Sequence, residues 1–367
     1  MRLKHGLLVI VALSLVAAIA FNSHGDAGAS PLPQGAEPPD RVVRLIFIHH
    51  STGENWLADD NGGLGRALAE NNYFVSDTNY GWGPDSIGDR TDIPDWIEWF
   101  RGPETERYME ALFTESDPNS AYTRSLEDPG GVNEIVLFKS CFPNSNLEGN
   151  PDDPPAEEGG YSVGGAKFVY NQLLEYFGTR PDKLFVAITA PPVSDPSYAK
   201  NARAFNNWLV EAWLNENHYP YANVAVFDFY NVLTGRGHHH RYVDGGVEHS
   251  YIPGRNTTAY ASDDDHPSRA GNLKATEEFV PLLNVYFHRW QSGEGVAALP
   301  PAVTLAPEPK IEGQSEAQPT TQQVPVMAIV FLVGTLCAAA IAVAIAAVVL
   351  IRGRHLAAER PRPSGPR

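Results

Sequence analysis

Cysteine is nearly absent: two residues in 367, Cys141 and Cys337. Cys337 lies inside a long apolar run, so a disulfide between the two is excluded as a scaffold, and no Cys-x-x-Cys metal pattern exists. Basic charge is also scarce. Against 44 Asp and Glu stand 27 Lys and Arg, a formal net charge of −17. A nucleic-acid binder needs a basic face, so that class is excluded. Internal repeats are lacking too. What the chain does have is loop-forming residues, 32 Gly and 30 Pro, and two apolar runs near its ends.

Those runs set the domain organisation. Residues 1–29 read as a signal peptide: Arg2, Lys4 and His5, an apolar core from Leu7 to Phe21, then small residues. An uncleaved N-terminal anchor is the alternative. Residues 30–41 form a Gly/Ala/Pro linker. Val326 to Ile351 carries no charge and is long enough to span a hydrocarbon core of roughly 30 Å as a helix. The Arg-rich tail 352–367 then lies in the cytoplasm by the positive-inside rule. Residues 291–325 are a Pro/Glu/Gln/Thr stalk. The domain at 42–290 therefore faces outward from the membrane.

Within 42–290 strand-like and helix-like segments alternate. Strands are predicted at Val42–His49, Tyr73–Thr78, Glu134–Phe138, Lys183–Thr189 and Val224–Phe229. Helices are predicted around Leu64–Leu68, at Asp95–Phe100 and Glu104–Phe113, and at Gly165–Phe177 with Phe168, Leu173, Leu174 and Phe177 inward. Two more follow at Tyr198–Asn217 and Ala270–Trp290, the last interrupted near Pro281. Asn231–Ser262 reads as irregular. Alternation of this kind predicts an α/β protein with a mainly parallel five-stranded sheet covered on both faces, a three-layer α/β/α sandwich. Reactive groups in such sheets collect beyond the C-terminal ends of the strands.

Two stretches carry the chemistry. Asp263-Asp264-Asp265-His266-Pro267-Ser268 places a carboxylate three residues before a histidine, so Asp263 can orient the ring while its other nitrogen meets a nucleophile. As bland sequence this is an acidic turn. Ser51, far upstream and just past the first strand, supplies the hydroxyl that changes the weighing. Acyl transfer also needs donors for a developing oxyanion. The Ser51 N–H, a glycine N–H and an asparagine amide are candidates.

This set resembles the GDSL/SGNH hydrolases, which carry Ser, Gly, Asn and His in four blocks. Asp263-x-x-His266-Pro267 followed by Gly271 matches the last block, and Ile48-His49-His50-Ser51-Thr52-Gly53 stands where the first belongs. Asn79-x-Gly81 resembles the second, and Pro143-Asn144-Ser145-Asn146 occupies the place of the third. The first and third blocks depart from the family pattern, lacking Gly-Asp-Ser and Gly-x-Asn-Asp. The resemblance implies Ser51 as nucleophile, His266 as base, Asp263 as its orienting carboxylate and Gly81 with Asn144 at the oxyanion, with no metal and no cofactor. Gly83 and Asn146 are the alternatives for the last two. The implied activity is a membrane-anchored serine esterase acting on carboxylic esters, with O-acetyl groups on a glycan as the preferred substrate. A non-catalytic carbohydrate- or ligand-binding module on the same scaffold is the competing function.

Other residues receive plainer readings. His238, His239 and His240 with His249 lack metal-ligand spacing and read as a polar loop. His49 or His50 next to Ser51 points away from it. Cys141 reads as a small buried hydrophobe. Trp56, Tyr80, Trp82, Trp96 and Trp99 suit sugar stacking and core packing equally. Asn256-Thr257-Thr258 has the form of a glycosylation sequon.

Overall fold

The computed structural model describes residues 35–293 and 303–304. The signal peptide, the tail, the apolar segment 326–351 and most of the stalk lie outside the described residues. Among the described residues no helix is long and apolar enough to cross a membrane.

Five short runs rich in β-branched and aromatic residues form one parallel sheet: β1 Val43–Ile48, β2 Tyr73–Thr78, β3 Ile135–Lys139, β4 Leu184–Ile188 and β5 Val224–Phe227, in the order β2-β1-β3-β4-β5. All six residues of β1 are buried, as expected for a strand covered on both faces. Its side chains alternate between two cores. Ile46 and Ile48 enter one with Trp96, Trp99, Phe138 and Phe177. Val43, Leu45 and Phe47 enter the other with Trp56, Leu64, Phe227 and Phe279.

Helices supply both faces. On the first lie α3 (Trp96–Arg101), α4 (Thr105–Thr114), α5 (Val163–Thr179) and α6 (Ala199–Glu211), followed by the single turn α7 (Trp213–Glu216). On the second lie α1 (Ser51–Leu57), α2 (Leu64–Glu70), α8 (Phe229–Leu233) and α9 (Arg269–Ser292). Each fully buried Phe or Leu contributes about 1.5–3 kcal/mol over its exposed state. The aromatic share of both cores therefore carries much of the stability. The α/β class and the parallel five-stranded sheet agree with the sequence reading.

Four local expectations are corrected. The stretch 231–262 is not irregular: β6 (His239–Val243) and β7 (Gly246–Tyr251) form an antiparallel hairpin. Its two-residue loop is Asp244-Gly245, both at positive φ (50° and 80°), a strong short-range hairpin signal. Helix α9 is not interrupted at Pro281. The missing N–H leaves only the Glu277 carbonyl without its helical partner, and Glu277 is exposed, so water can serve it. The stalk does not begin at 291, since α9 runs to Ser292 and Val303–Thr304 (β8) pairs in parallel with β7. Phe168, expected in the core, is only half-buried; Val169 and Tyr170 take that face of α5.

Strand order places one feature functionally. The chain leaves β1 toward β2 on one side, while β3, β4 and β5 build out on the other. The crevice between the C-terminal ends of β1 and β3 is the topological switch point, where ligands of open α/β sheets bind. Ile48 pairs with Phe138 in register. Ser51 and Cys141, each three residues further on, therefore emerge side by side.

Candidate active site

The strand-to-helix turn after β1 is tight because His49-His50 is all that separates Ile48 from α1. His50 caps the helix in an extended conformation, and its carbonyl accepts from the Gly53 and Glu54 N–H groups. Gly53 is required here: a Cβ would lie 2.4 Å from Cβ and Cγ of His49. The turn puts Ser51 first in the helix, so its N–H has no intrahelical acceptor, and it bonds to nothing else among the described residues.

His266 arrives from the far end of the domain. Its loop is pinned by three contacts: Ser268 N–H to the Tyr260 carbonyl at 2.8 Å, Ser194 N–H to Asp265 Oδ1 at 3.0 Å, and the Phe142 ring edge-on to the imidazole with centroids 5.0 Å apart. Gly271 allows the approach, since a Cβ there would meet Tyr260 Cβ at 2.7 Å and Leu233 Cδ2 at 2.9 Å. The outcome is a distance of 2.8 Å between Ser51 Oγ and His266 Nε2. Residues 215 positions apart in sequence thus meet at the switch point.

The carboxylate on the other ring nitrogen belongs to Asp264, with Oδ2 at 3.0 Å from His266 Nδ1. Asp263, the sequence choice, makes no hydrogen bond or ion pair among the described residues. The local backbone explains the difference. Asp265 is left-handed (φ 65°), and Asp264 Oδ1 accepts from the His266 N–H at 3.3 Å. That is the geometry of an Asx turn, in which the aspartate folds onto the residue two further on. The Ser262 hydroxyl also donates to Asp264 Oδ1, at 2.9 Å. This bond first, and the one from His266 second, hold the Asp264 carboxyl below the usual carboxylate range. An acceptor-only carboxylate assigns the proton of a neutral imidazole to Nδ1, which leaves the Nε2 lone pair to accept from the Ser51 hydroxyl.

The expected oxyanion donors sit differently. Gly81 occupies a left-handed position (φ 73°), and its N–H donates to Asp89 Oδ1 at 2.7 Å. Asn144 is buried just past β3, in the 3-10 turn Phe142–Ser145. Its Oδ1 accepts from the Ile93 N–H at 2.7 Å, and its Nδ2 donates to Asp92 Oδ1 at 2.6 Å. One amide hydrogen of Asn144 remains. Asn146 is exposed with no side-chain bond among the described residues, and Gly83 is likewise exposed at φ 76°.

His49, His50 and the 238–240 histidines each make at least one side-chain hydrogen bond. His50 donates from Nε2 to the Gly88 carbonyl (2.6 Å) and accepts at Nδ1 from Thr91 (2.9 Å). Burial first, then Lys139 and His49, lower its pKa and keep it neutral. His49 Nδ1 donates to the His50 carbonyl, and Nε2 lies 3.1 Å from Asp77. The 238–240 run is not a polar loop. His238 bonds Thr234 and the Ile252 N–H, His239 bonds Glu278, and His240 accepts from the Asp228 N–H. His238 and His240 are fully buried. Among the described residues no cluster of His, Cys, Asp and Glu could hold a metal ion. The Asn256 side chain accepts from Arg203 Nε at 3.3 Å.

Cys141 is more than a small buried hydrophobe, and Lys139 was not singled out from the sequence. Cys141 is free and half-buried, with Sγ 3.5 Å from the Thr52 hydroxyl and 4.0 Å from Ser51 Oγ. Lys139 ends β3 fully buried, and among the described residues its ammonium bonds only the Ser140 carbonyl, at 3.2 Å. Burial pushes its pKa down. Burial opposes ionisation of Cys141, but Lys139 and the Thr52 hydrogen bond outweigh it and lower the thiol. A lysine closing an otherwise apolar strand was the visible signal.

No family model matches this chain, and no curated protein matches it. Among solved structures, a carbohydrate esterase whose active site displays divergent catalytic and non-catalytic binding functions aligns at 12% identity and a TM-score of 0.30, over 68% of this chain and 66% of that one. CetZ2 from Haloferax volcanii, in a GTPγS-bound protofilament, aligns at 13% identity and 0.30, over 66% and 58%. TubZ of Clostridium botulinum phage c-st aligns at 11% and 0.22, over half of each chain. Likenesses this distant decide neither fold family nor activity.

Proposed function

We propose that the chain is a serine-dependent carboxylic ester hydrolase of GDSL/SGNH type. The single observation that carries this reading is the 2.8 Å contact between Ser51 Oγ and a His266 whose other nitrogen faces a carboxylate. A hydroxyl alone is a poor nucleophile at neutral pH. Here His266 Nε2 takes the proton as Ser51 Oγ attacks the ester carbonyl. The oxyanion develops toward the unpartnered Ser51 N–H at the start of α1, and the remaining Asn144 amide hydrogen is a second candidate donor. His266 then protonates the leaving alcohol, and a water deprotonated by the same nitrogen releases the acid from Ser51. Asp264 keeps the ring in the required tautomer throughout.

An outward-facing domain tethered through 326–351 is supported by the uncharged span and the arginines after it.

A non-catalytic binding module has one observation in its favour: carboxylates already hold the Gly81 N–H and one Asn144 hydrogen. The experiment that separates the two is p-nitrophenyl acetate hydrolysis by the full chain beside Ser51→Ala and His266→Ala. The esterase reading expects activity in the parent and loss in both variants. Activity retained in Ser51→Ala would overturn the mechanism.

A further inference from the structure

Five aromatic residues near the first two sequence blocks suited sugar stacking and core packing equally, and the fold separates them. Trp56, Trp96 and Trp99 are fully buried and Trp82 nearly so, whereas Tyr80 is 60% exposed. Its ring lies on His50, centroids 4.0 Å apart and planes 20° from parallel. His50 is itself fixed at both nitrogens by Gly88 and Thr91. The Tyr80 N–H bonds the Asn79 side chain at 2.9 Å. One face of Tyr80 is therefore pressed on a rigid support, next in sequence to Ser51, and the other is open.

A second exposed ring stands on the same strip. Tyr161, 45% exposed, donates its hydroxyl to Asp92 Oδ2 at 2.7 Å. Residues 88–92 thus carry both rings: Gly88 and Thr91 through His50 to Tyr80, and Asp92 to Tyr161. The charge on and beside this strip is mainly acidic. Asp89 and Asp92 are acceptors, Asp264 lies with His266 at Ser51, and the one cation of the strip, Arg90, is paired with Glu98. Such a rim repels anions and accepts from hydroxyls. Immobilised aromatic faces with a few placed acceptors suit a ring with apolar CH faces and OH edges, and a ring already held in place costs little ordering on binding.

We propose that Tyr80 and Tyr161, mounted on the 88–92 strip, form a binding platform for a neutral saccharide, which presents its ester to Ser51. The position of the scissile bond rests on the ester-hydrolase reading; the binding does not.

The test is calorimetric titration of the full chain carrying Ser51→Ala, which cannot turn over. The probes are singly O-acetylated methyl glycosides of glucose, xylose and N-acetylglucosamine. At least one is expected to bind saturably. Adding Tyr80→Ala is expected to weaken that affinity tenfold or more, and Tyr161→Ala about threefold. Tyr80→Phe, which keeps the ring, is expected to restore it. Binding by no probe, or undiminished binding in Tyr80→Ala, would overturn the platform. Parent activity on p-nitrophenyl acetate is read separately. Sugar binding without hydrolysis would sink the esterase reading and keep the platform, and hydrolysis with Tyr80-independent binding would do the reverse.

Discussion

Among the described residues, three imidazole–aspartate pairs of nearly equal length occur, and one of them meets a serine hydroxyl. His49–Asp77 (3.1 Å) and His249–Asp228 (2.9 Å) are buried, while His266–Asp264 (3.0 Å) is open, with His266 20% and Asp264 68% exposed. The difference lies in the second ring nitrogen. His49 spends it on the His50 carbonyl. His249 leaves it buried without a hydrogen bond, 3.8 Å from Glu211. His266 directs it at a serine hydroxyl. A carboxylate beside a histidine therefore identifies nothing by itself; access and the opposite partner decide.

The largest loss is expected at the nucleophile. Ser51→Ala and His266→Ala are each expected to lower kcat for p-nitrophenyl acetate by about 10⁴-fold or more. The double variant should lose little further, because the two groups act as a unit. Additive losses would show that they work separately. Neither variant should move the melting temperature by more than about 3 °C, since the pair is open to solvent.

The buried His249–Asp228 pair should behave in the opposite way. Asp228 accepts from Thr189, from the Asn231 N–H and from His249. Asp228→Ala would leave a buried imidazole and hydroxyl unpaired and is expected to cost about 3–5 kcal/mol in urea denaturation. A loss below 1 kcal/mol would contradict a structural role.

A smaller effect distinguishes neighbours on one loop. Asp264→Asn should lower kcat by disturbing the His266 tautomer, less than Ser51→Ala does and more than Asp263→Asn does. The reverse ranking would restore the three-residue spacing that the sequence suggested. That spacing misled because it counts positions and ignores the left-handed Asp265, which folds Asp264 and not Asp263 onto the ring.

Other features were legible for clear physical reasons. Continuous apolar runs such as Val43–Ile48 have one solution when both faces are covered, and the serine had to follow the first of them. The hairpin was missed although Asp244-Gly245 announces it, because the dense histidines of 238–249 obscured the alternation of β6 and β7. The tethering of Gly81 to Asp89 and of Asn144 to Asp92 could not be read from the chain, since each joins segments with no shared pattern.

A further effect concerns pH. Burial keeps His240 and His238 neutral, with pKa values lowered to about 3 and about 4. The unfolded chain protonates both near their ordinary value of 6.5, so acidification from pH 6.5 toward 4 favours unfolding, and stability should fall over that window. Asp228 adds a second slope. Burial opposes its ionisation, but His249 and Arg203 outweigh this and lower its pKa to about 2. Its contribution is present above about pH 4 and is lost as pH falls through 2. His240→Gln should flatten the upper slope in denaturant titrations, and an unchanged slope would remove His240 from the account.

The central claim is that His266 activates Ser51. It is tested most directly by labelling the full chain with a fluorophosphonate and locating the adduct by peptide mass. The account expects modification at Ser51, none in Ser51→Ala, and labelling at least 100-fold slower in His266→Ala. Labelling undiminished in His266→Ala, or an unreactive Ser51 in the folded parent, would contradict it.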